Sequence, residues 1–182
     1  MSKNTYSEII VVDLEATCWD TPEEQAKFTS EIIEVGVCVL NIFTGEITKP
    51  EGLIVKPRQS KISPFCEKLT SITQEMVDEG MKFEKAMKIL KMEYGSSSRA
   101  LAGYGNYDQN MLNRQCINYA ITPPFGPTYI NISALASFKL KTNGRLGLED
   151  ALAGFNLKFE GRPHRGVDDA LQAARVLWEI IK

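Results

Sequence analysis

The order of apolar segments predicts an α/β domain, a mixed sheet with helices packed on it. Three observations carry that prediction. The chain opens on β-branched runs, alternates helical and strand patterns from residue 83 onward, and closes on an apolar stripe at helical spacing. The chain has 182 residues, 43% of them hydrophobic, and is read as one domain, 1–182. A domain of that size buries roughly 70% of the surface its unfolded chain exposes.

Ile9-Ile10-Val11-Val12, ending in Asp13, reads as a buried strand whose exit carries acids. Residues 32–40 form a second strand, residues 41–45 turn it, and residues 46–55 return as a third, giving a hairpin. Residues 62–80 hold short helical pieces, with Ser71 or Thr73 as caps. Phe83, Ala86, Met87, Leu90 and Tyr94 follow helical spacing, so an amphipathic helix runs there. Its Lys82, Lys85, Lys88 and Lys91 stripe is read as a solvated face rather than an RNA-binding ridge. Residues 99–104 make a strand after Gly95-Ser96-Ser97-Ser98, and Asp108 enters a helix that runs to about Tyr119. Pro123, Pro124, Gly126 and Pro127 break the chain before a short strand at 128–132. Residues 146–154 are helical. The last helix buries Val167, Ala170, Leu171, Ala174, Leu177, Trp178 and Ile181. No internal repeat and no domain-dividing linker is visible.

A formal charge of −2 provides no general affinity for polyanions, so any nucleic acid is gripped locally. The four cysteines, Cys18, Cys38, Cys66 and Cys116, form no Cys-x-x-Cys and are expected as reduced thiols of a cytoplasmic protein. Residues 1–6 lack an apolar signal core, and no apolar stretch reaches the ~18 residues that span a bilayer, so no membrane partner is expected.

Asp13-Leu14-Glu15 is a weak motif by count alone, because 23 acids in 182 residues give roughly three such pairs by chance. Its position gives it weight. Residues i and i+2 of a strand face the same way, and open α/β sheets bind ligands at the strands' carboxyl ends. Asp108 in Gly105-Asn106-Tyr107-Asp108 adds a third acid. His164-Arg165-Gly166-Val167-Asp168-Asp169 adds the only histidine and a fourth acid. Clustered carboxylates call for a divalent cation with a taste for oxygen, and the imidazole is the one side chain that titrates near neutrality. Such a set can activate water against a phosphodiester. Glu34, acidic inside an apolar strand, reads as a structural hydrogen-bonding acid near the site.

Asp13-Leu14-Glu15-Ala16-Thr17-Cys18, Asn106-Tyr107-Asp108, and His164 with Asp169 resemble the three motifs of the DEDD exonucleases with a histidine in the third, the DnaQ-like group. The resemblance covers nearly the whole chain. The segments running from Phe65 to Gln74 and from Gly161 to Asp169 are similar to the histone-mRNA and RNA-interference 3′ exonucleases. That resemblance implies an RNase H-like fold, with a five-stranded mixed sheet flanked by helices and its second strand antiparallel. It implies removal of nucleoside 5′-monophosphates from the 3′ end of single-stranded or short RNA, and possible action on DNA ends. Asp13, Glu15, Asp108 and Asp169 would hold two Mg²⁺ or Mn²⁺ ions, and His164 would take the proton of the attacking water. Asp168 is the rival for the fourth ligand, although the five-residue spacing from His164 favours Asp169. The backbone of Ala16 and Thr17 would reach the terminal 3′-hydroxyl, and Phe65, Leu69 and Tyr107 would sandwich the last base. Arg162 and Arg165, flanking His164, could meet a phosphate.

The sequence departs from the pattern at Tyr107, where many of the branch carry tryptophan, and at Ser71, where glycine is usual. No separate nucleic-acid-binding domain is expected ahead of the catalytic one, which puts recognition of a particular stem-loop in doubt. Two rival roles keep the same chemistry, an oligoribonuclease and a polymerase proofreading subunit. A third is an inactive nuclease fold that binds RNA.

Overall fold

A computed structural model describes residues 7–182. The expectation that residues 1–6 carry no signal core lies outside the described residues. The first strand, β1 (Glu8–Ala16), is the central element and is longer than its β-branched run. Ile10, Val12 and Leu14 point into one apolar layer, while Ile9 and Val11 point into a second. By the two-residue period of a strand, Asp13 and Glu15 continue the face of Ile9 and Val11. β2 (Ile32–Asn41) pairs antiparallel with β1 and opposes Asp13 with Gly36 and Glu15 with Glu34. β3 (Ile47–Lys56) returns antiparallel to β2. The Asn41 side chain makes the turn between them by accepting the N–H groups of Phe43 and Thr44.

Helix α1 (Pro22–Lys27) follows β1, and α2 (Pro64–Thr70) and α3 (Gln74–Glu79) follow β3. Ser63 and Thr73 cap the starts of α2 and α3 through their hydroxyls. Ser71 instead ends α2 with φ at 59°, the left-handed conformation that favours glycine at this kind of position. A two-residue strand, β4 (Met81–Lys82), then pairs parallel to Val55 and Lys56. It makes the sheet six-stranded where five strands were expected, because two residues are too few to leave an alternation in the sequence. The amphipathic helix α4 (Phe83–Met92) buries Phe83, Ala86, Met87 and Leu90 and exposes all four stripe lysines.

The rest follows as β5 (Ala100–Gly103), α5 (Tyr107–Asn118), β6 (Tyr129–Asn131), α6 (Ile132–Lys139), α7 (Leu148–Gly154) and α8 (Gly166–Ile181), all but α6 expected from the sequence. The sheet order is β4-β3-β2-β1-β5-β6, and β2 runs opposite to every other strand. Helices α1 and α6 went unread. The first buries none of its residues, and the second starts directly on the β6 pattern. No helix among the described residues is long and apolar enough to cross a membrane. All four cysteines are free thiols.

Helix α8 lies on the Ile9–Val11 face and buries Ala170, Ala173, Ala174, Val176 and Leu177. Ile181, expected in its stripe, is 41% exposed at the last turn. The helix starts in direct contact with the sheet. A Cβ added to Gly36 would fall 1.8 Å from the Gly166 carbonyl carbon, and one added to Gly166 would come within 3.1 Å of the Asp13 carbonyl. Two glycines facing each other let backbone touch backbone here.

Gly36→Ala should therefore be among the most damaging small substitutions in the protein. The clash is with main chain and no rotamer relieves it, so a loss of about 3 kcal/mol or more is expected in urea unfolding. A variant with unchanged midpoint and slope would show that α8 does not sit this close.

Candidate active site

Three elements deliver the acids. β1 brings Asp13 and Glu15 on the α8 face, while α5 and α8 carry Asp108 and Asp169 in their first turns. One carboxylate oxygen each from Asp13, Glu15 and Asp169 lies within 4.8 Å of the others. Asp108 is buried, and its Oδ1 accepts the Leu14 N–H at 3.2 Å, which ties α5 to β1 between the two strand acids. Asp168, the rival, turns the other way: its Oδ2 accepts the Arg162 N–H at 3.0 Å and braces the loop before α8.

Burial, then mutual repulsion, drives these groups toward their protonated forms. Asp13 stands well above the usual carboxylate range through burial, then through Asp108, Asp169 and Glu15. Burial and the charge of Asp169 push Glu15 up to about 8. Burial pushes Asp108 up to about 7 against the opposing Leu14 N–H. Burial pushes Asp169 up to about 6 against the backbone N–H groups of His164 and Arg165. Converging carboxylates that repel one another form a hard oxygen donor set, and Mg²⁺ or Mn²⁺ fits it.

Glu34 holds the arrangement together. Its side chain is fully buried, and its two oxygens take the Arg165 guanidinium at 3.1 and 3.2 Å and the Gly166 N–H at 2.9 Å. Gly52 on β3 leaves room for it, since a Cβ there would meet Glu34 Oε1 at 2.3 Å. Arg165 is thereby committed to Glu34 instead of standing open to a phosphate. Arg162 is exposed and lines a groove with Ser71, Thr73 and Lys68.

His164 sits in the exposed turn just before α8, with φ at 60°. Its backbone is close enough to Asp169 to oppose that group's shift. Ala16 is buried at the end of β1. Thr17 is fully buried, its N–H donates to Glu31 O at 2.9 Å, and its hydroxyl accepts the Glu31 N–H at 3.0 Å. Phe65 is exposed and Leu69 half-buried. Both line a groove of about 760 Å³ with Trp19 and Lys68, so neither is ordinary core. Tyr107 is 53% exposed and lines a second hollow with Arg145.

Trp19, Arg145 and Tyr129 were not singled out from the sequence. Trp19 stacks on Phe28 with centroids 4.9 Å apart. Arg145 draws the Asp108 carboxyl down, and Tyr129, whose own ionisation is suppressed by burial and by Asp108, donates to Gly105 O. Each stands alone in a loop or a three-residue strand, where no spacing marks it.

In the metal-free protein Glu15, Asp108 and Asp169 keep protons to about pH 6–8, whereas an unfolded chain loses them near 4. The native state binds more protons across that interval, so stability should fall as pH rises from about 4 to 8. Divalent cation should reverse the fall, with a larger gain in Tm at pH 8 than at pH 5. A metal-induced Tm shift independent of pH would refute this coupling.

Comparison with known proteins shows the family. Residues 10–177 match the RNase_T family model, described as Exonuclease. The human 3′-5′ exoribonuclease 1 is 34% identical over 94% of this chain, and the match spans 51% of that relative, about half its length. The crystal structure of the nuclease domain of 3′hExo, a DEDDh family member, bound to rAMP, superposes with a TM-score of 0.85 at 33% identity, covering 95% of this chain and 90% of that one. A 3′-exonuclease recognising the histone mRNA stem-loop superposes at 0.82 with 31% identity, covering 95% and 80%. The chain belongs to the RNase_T exonuclease family.

Proposed function

We propose that the protein is a metal-dependent 3′→5′ exonuclease that removes nucleoside 5′-monophosphates from the 3′ end of single-stranded or short RNA. The observation that carries this reading is the convergence of Asp13, Glu15 and Asp169 oxygens within 4.8 Å, with Asp108 tied in through Leu14. The nuclease domain solved with rAMP, and the structure with a histone mRNA stem-loop, support RNA 3′ ends as the substrate class. Four free thiols support a reducing compartment, the cytoplasm.

Asp13, Glu15, Asp108 and Asp169 would hold two divalent cations, which when bound supply water activation and charge neutralisation at the leaving oxygen. His164 takes the proton of the attacking water, and its place in an exposed turn leaves the imidazole open to that water. The water oxygen joins phosphorus, the P–O3′ bond breaks with its electron pair passing to O3′, which takes a proton from solvent to become the new 3′-hydroxyl, and the phosphate stays on the 5′ side of the released nucleotide. Phe65, Leu69 and Tyr107 hold the terminal base, where stacking is worth ~1–3 kcal/mol per base and tolerates sequence. The Glu34–Arg165 pair keeps Asp169 over β1 while the strand advances.

Asp169→Ala should lose detectable turnover with the fold intact, whereas Asp168→Ala, which removes only an acceptor for Arg162, should keep most of it. The opposite order on a labelled oligoribonucleotide would reassign the ligand.

His164→Ala should be slower by on the order of 10²–10⁴-fold, the usual worth of a general base, and should still bind metal and nucleotide. A His164→Ala enzyme with near-normal turnover, or one unable to bind metal, would take the proton-transfer role from His164.

A further inference from the structure

Among the described residues, one buried side-chain polar atom finds no partner: Nε2 of Gln115 on α5. The residue is 3% exposed, and its orientation is fixed because Oε1 accepts the Ile32 N–H at 2.8 Å. A buried donor left unsatisfied costs about 1–3 kcal/mol, so such a group points to whatever satisfies it. Gln115 lines a cavity of about 310 Å³ with Thr29, Ser30, Arg58, Arg114 and Asn118. That volume is many times the ~30 Å³ share of one water.

Donors dominate the lining. The Arg114 guanidinium reaches the Ser30 carbonyl at 3.2 Å and the Met111 sulfur, and makes no ion pair among the described residues. Arg58 pairs with Glu84 while lying 3.7 Å over the Tyr119 ring. The carboxylate in the wall, Glu31, is fully engaged. One oxygen takes the Arg58 N–H and the Tyr119 hydroxyl, and the other takes the Gln59 and Ser60 N–H groups and the Ser60 hydroxyl. What remains uncommitted is the Arg114 guanidinium and the Gln115 amide donor, a pair suited to an oxyanion.

Its position indicates which oxyanion. Tyr107, Met111, Arg114 and Asn118 share one face of α5 at helical spacing, so Arg114 lies about 10 Å along the helix from Tyr107. From the sheet, Thr17, two residues beyond Glu15, is bonded to Glu31 in the cavity wall. We propose that this cavity is a subsite for a backbone phosphate of the bound strand, about two or three nucleotides from the 3′ end at ~3.4 Å per stacked nucleotide. Arg114 and Gln115 then determine how strongly the enzyme favours longer substrates. The inference rests on the exonuclease reading above and adds to it a second point of grip.

The test compares 5′-labelled oligoribonucleotides of two and eight nucleotides. KM and kcat are measured with Mg²⁺, and binding by anisotropy with Ca²⁺ in its place. Arg114→Ala and Gln115→Glu should each raise the octamer KM about tenfold, leaving its kcat and both dinucleotide constants unchanged. Gln115→Glu keeps the acceptor for Ile32 while deleting the donor, and an unchanged Tm checks its fold. The salt dependence of octamer binding should flatten by about one phosphate contact in Arg114→Ala. Equal effects on both lengths, or none, would overturn the subsite. Stabilisation of the wild type by inorganic phosphate, absent from Arg114→Ala, with octamer affinity the same in both proteins, would assign the cavity to a free anion and also overturn it. Failure of the wild type to hydrolyse either oligomer would count against the exonuclease reading, while anisotropy would still decide the subsite.

Discussion

The backbone contact between Gly36 and Gly166 is the constraint on which the site depends. Every other acid reaches the cluster from β1 or from a helix bonded to it, but Asp169 comes from the far end of the chain. It arrives only because α8 begins flat against the sheet, and α8 can do so only where neither strand nor helix carries a Cβ. Glu34 then fixes the rotation of that first turn by holding both the Arg165 side chain and the Gly166 N–H. A buried ion pair of this kind adds little net stability, because desolvation offsets most of its Coulomb energy. Its contribution is geometric, a single orientation for the helix start.

The same closeness leaves the acids in conflict with their surroundings. Burial beside α8 raises the Asp13 carboxyl, and its acidic neighbours repel it further. Local consistency between sequence and structure breaks down here, and such breaks concentrate at functional sites. The apolar layers on both faces of β1 supply the rigidity that holds the acids together against their repulsion.

Much of this was legible in the sequence because it rests on periodicity. The β1, β2 and α4 patterns repeat often enough to be read, and the acids mark the places where apolar runs stop. Asp108 and Asp169 fall at helix starts that the spacing alone placed within a residue or two. What escaped is short or depends on distant partners. β4 has two residues, and α1 buries nothing. The bond from Thr17 to Glu31, fourteen residues away, leaves no trace in the neighbouring sequence. Arg165 looked like a phosphate ligand until β2 supplied Glu34 across 131 residues. Gln115, inside an otherwise ordinary helix, gives no sign in sequence that one of its amide groups is unmatched.

The pairing of Glu15 with Glu34 across β1 and β2 has a consequence for how the sheet is assembled. Side chains alternate sides along a strand, so slipping β2 by one residue would send Glu34 into the apolar layer that now holds Val35, Val37 and Val39. There it would be a buried charge without Arg165, and the valines would be turned out toward α8. A chain of β-branched residues could otherwise pair in several offsets at similar energy. The acid that later anchors the helix thus also acts, during folding, as a proofreading mark on strand alignment.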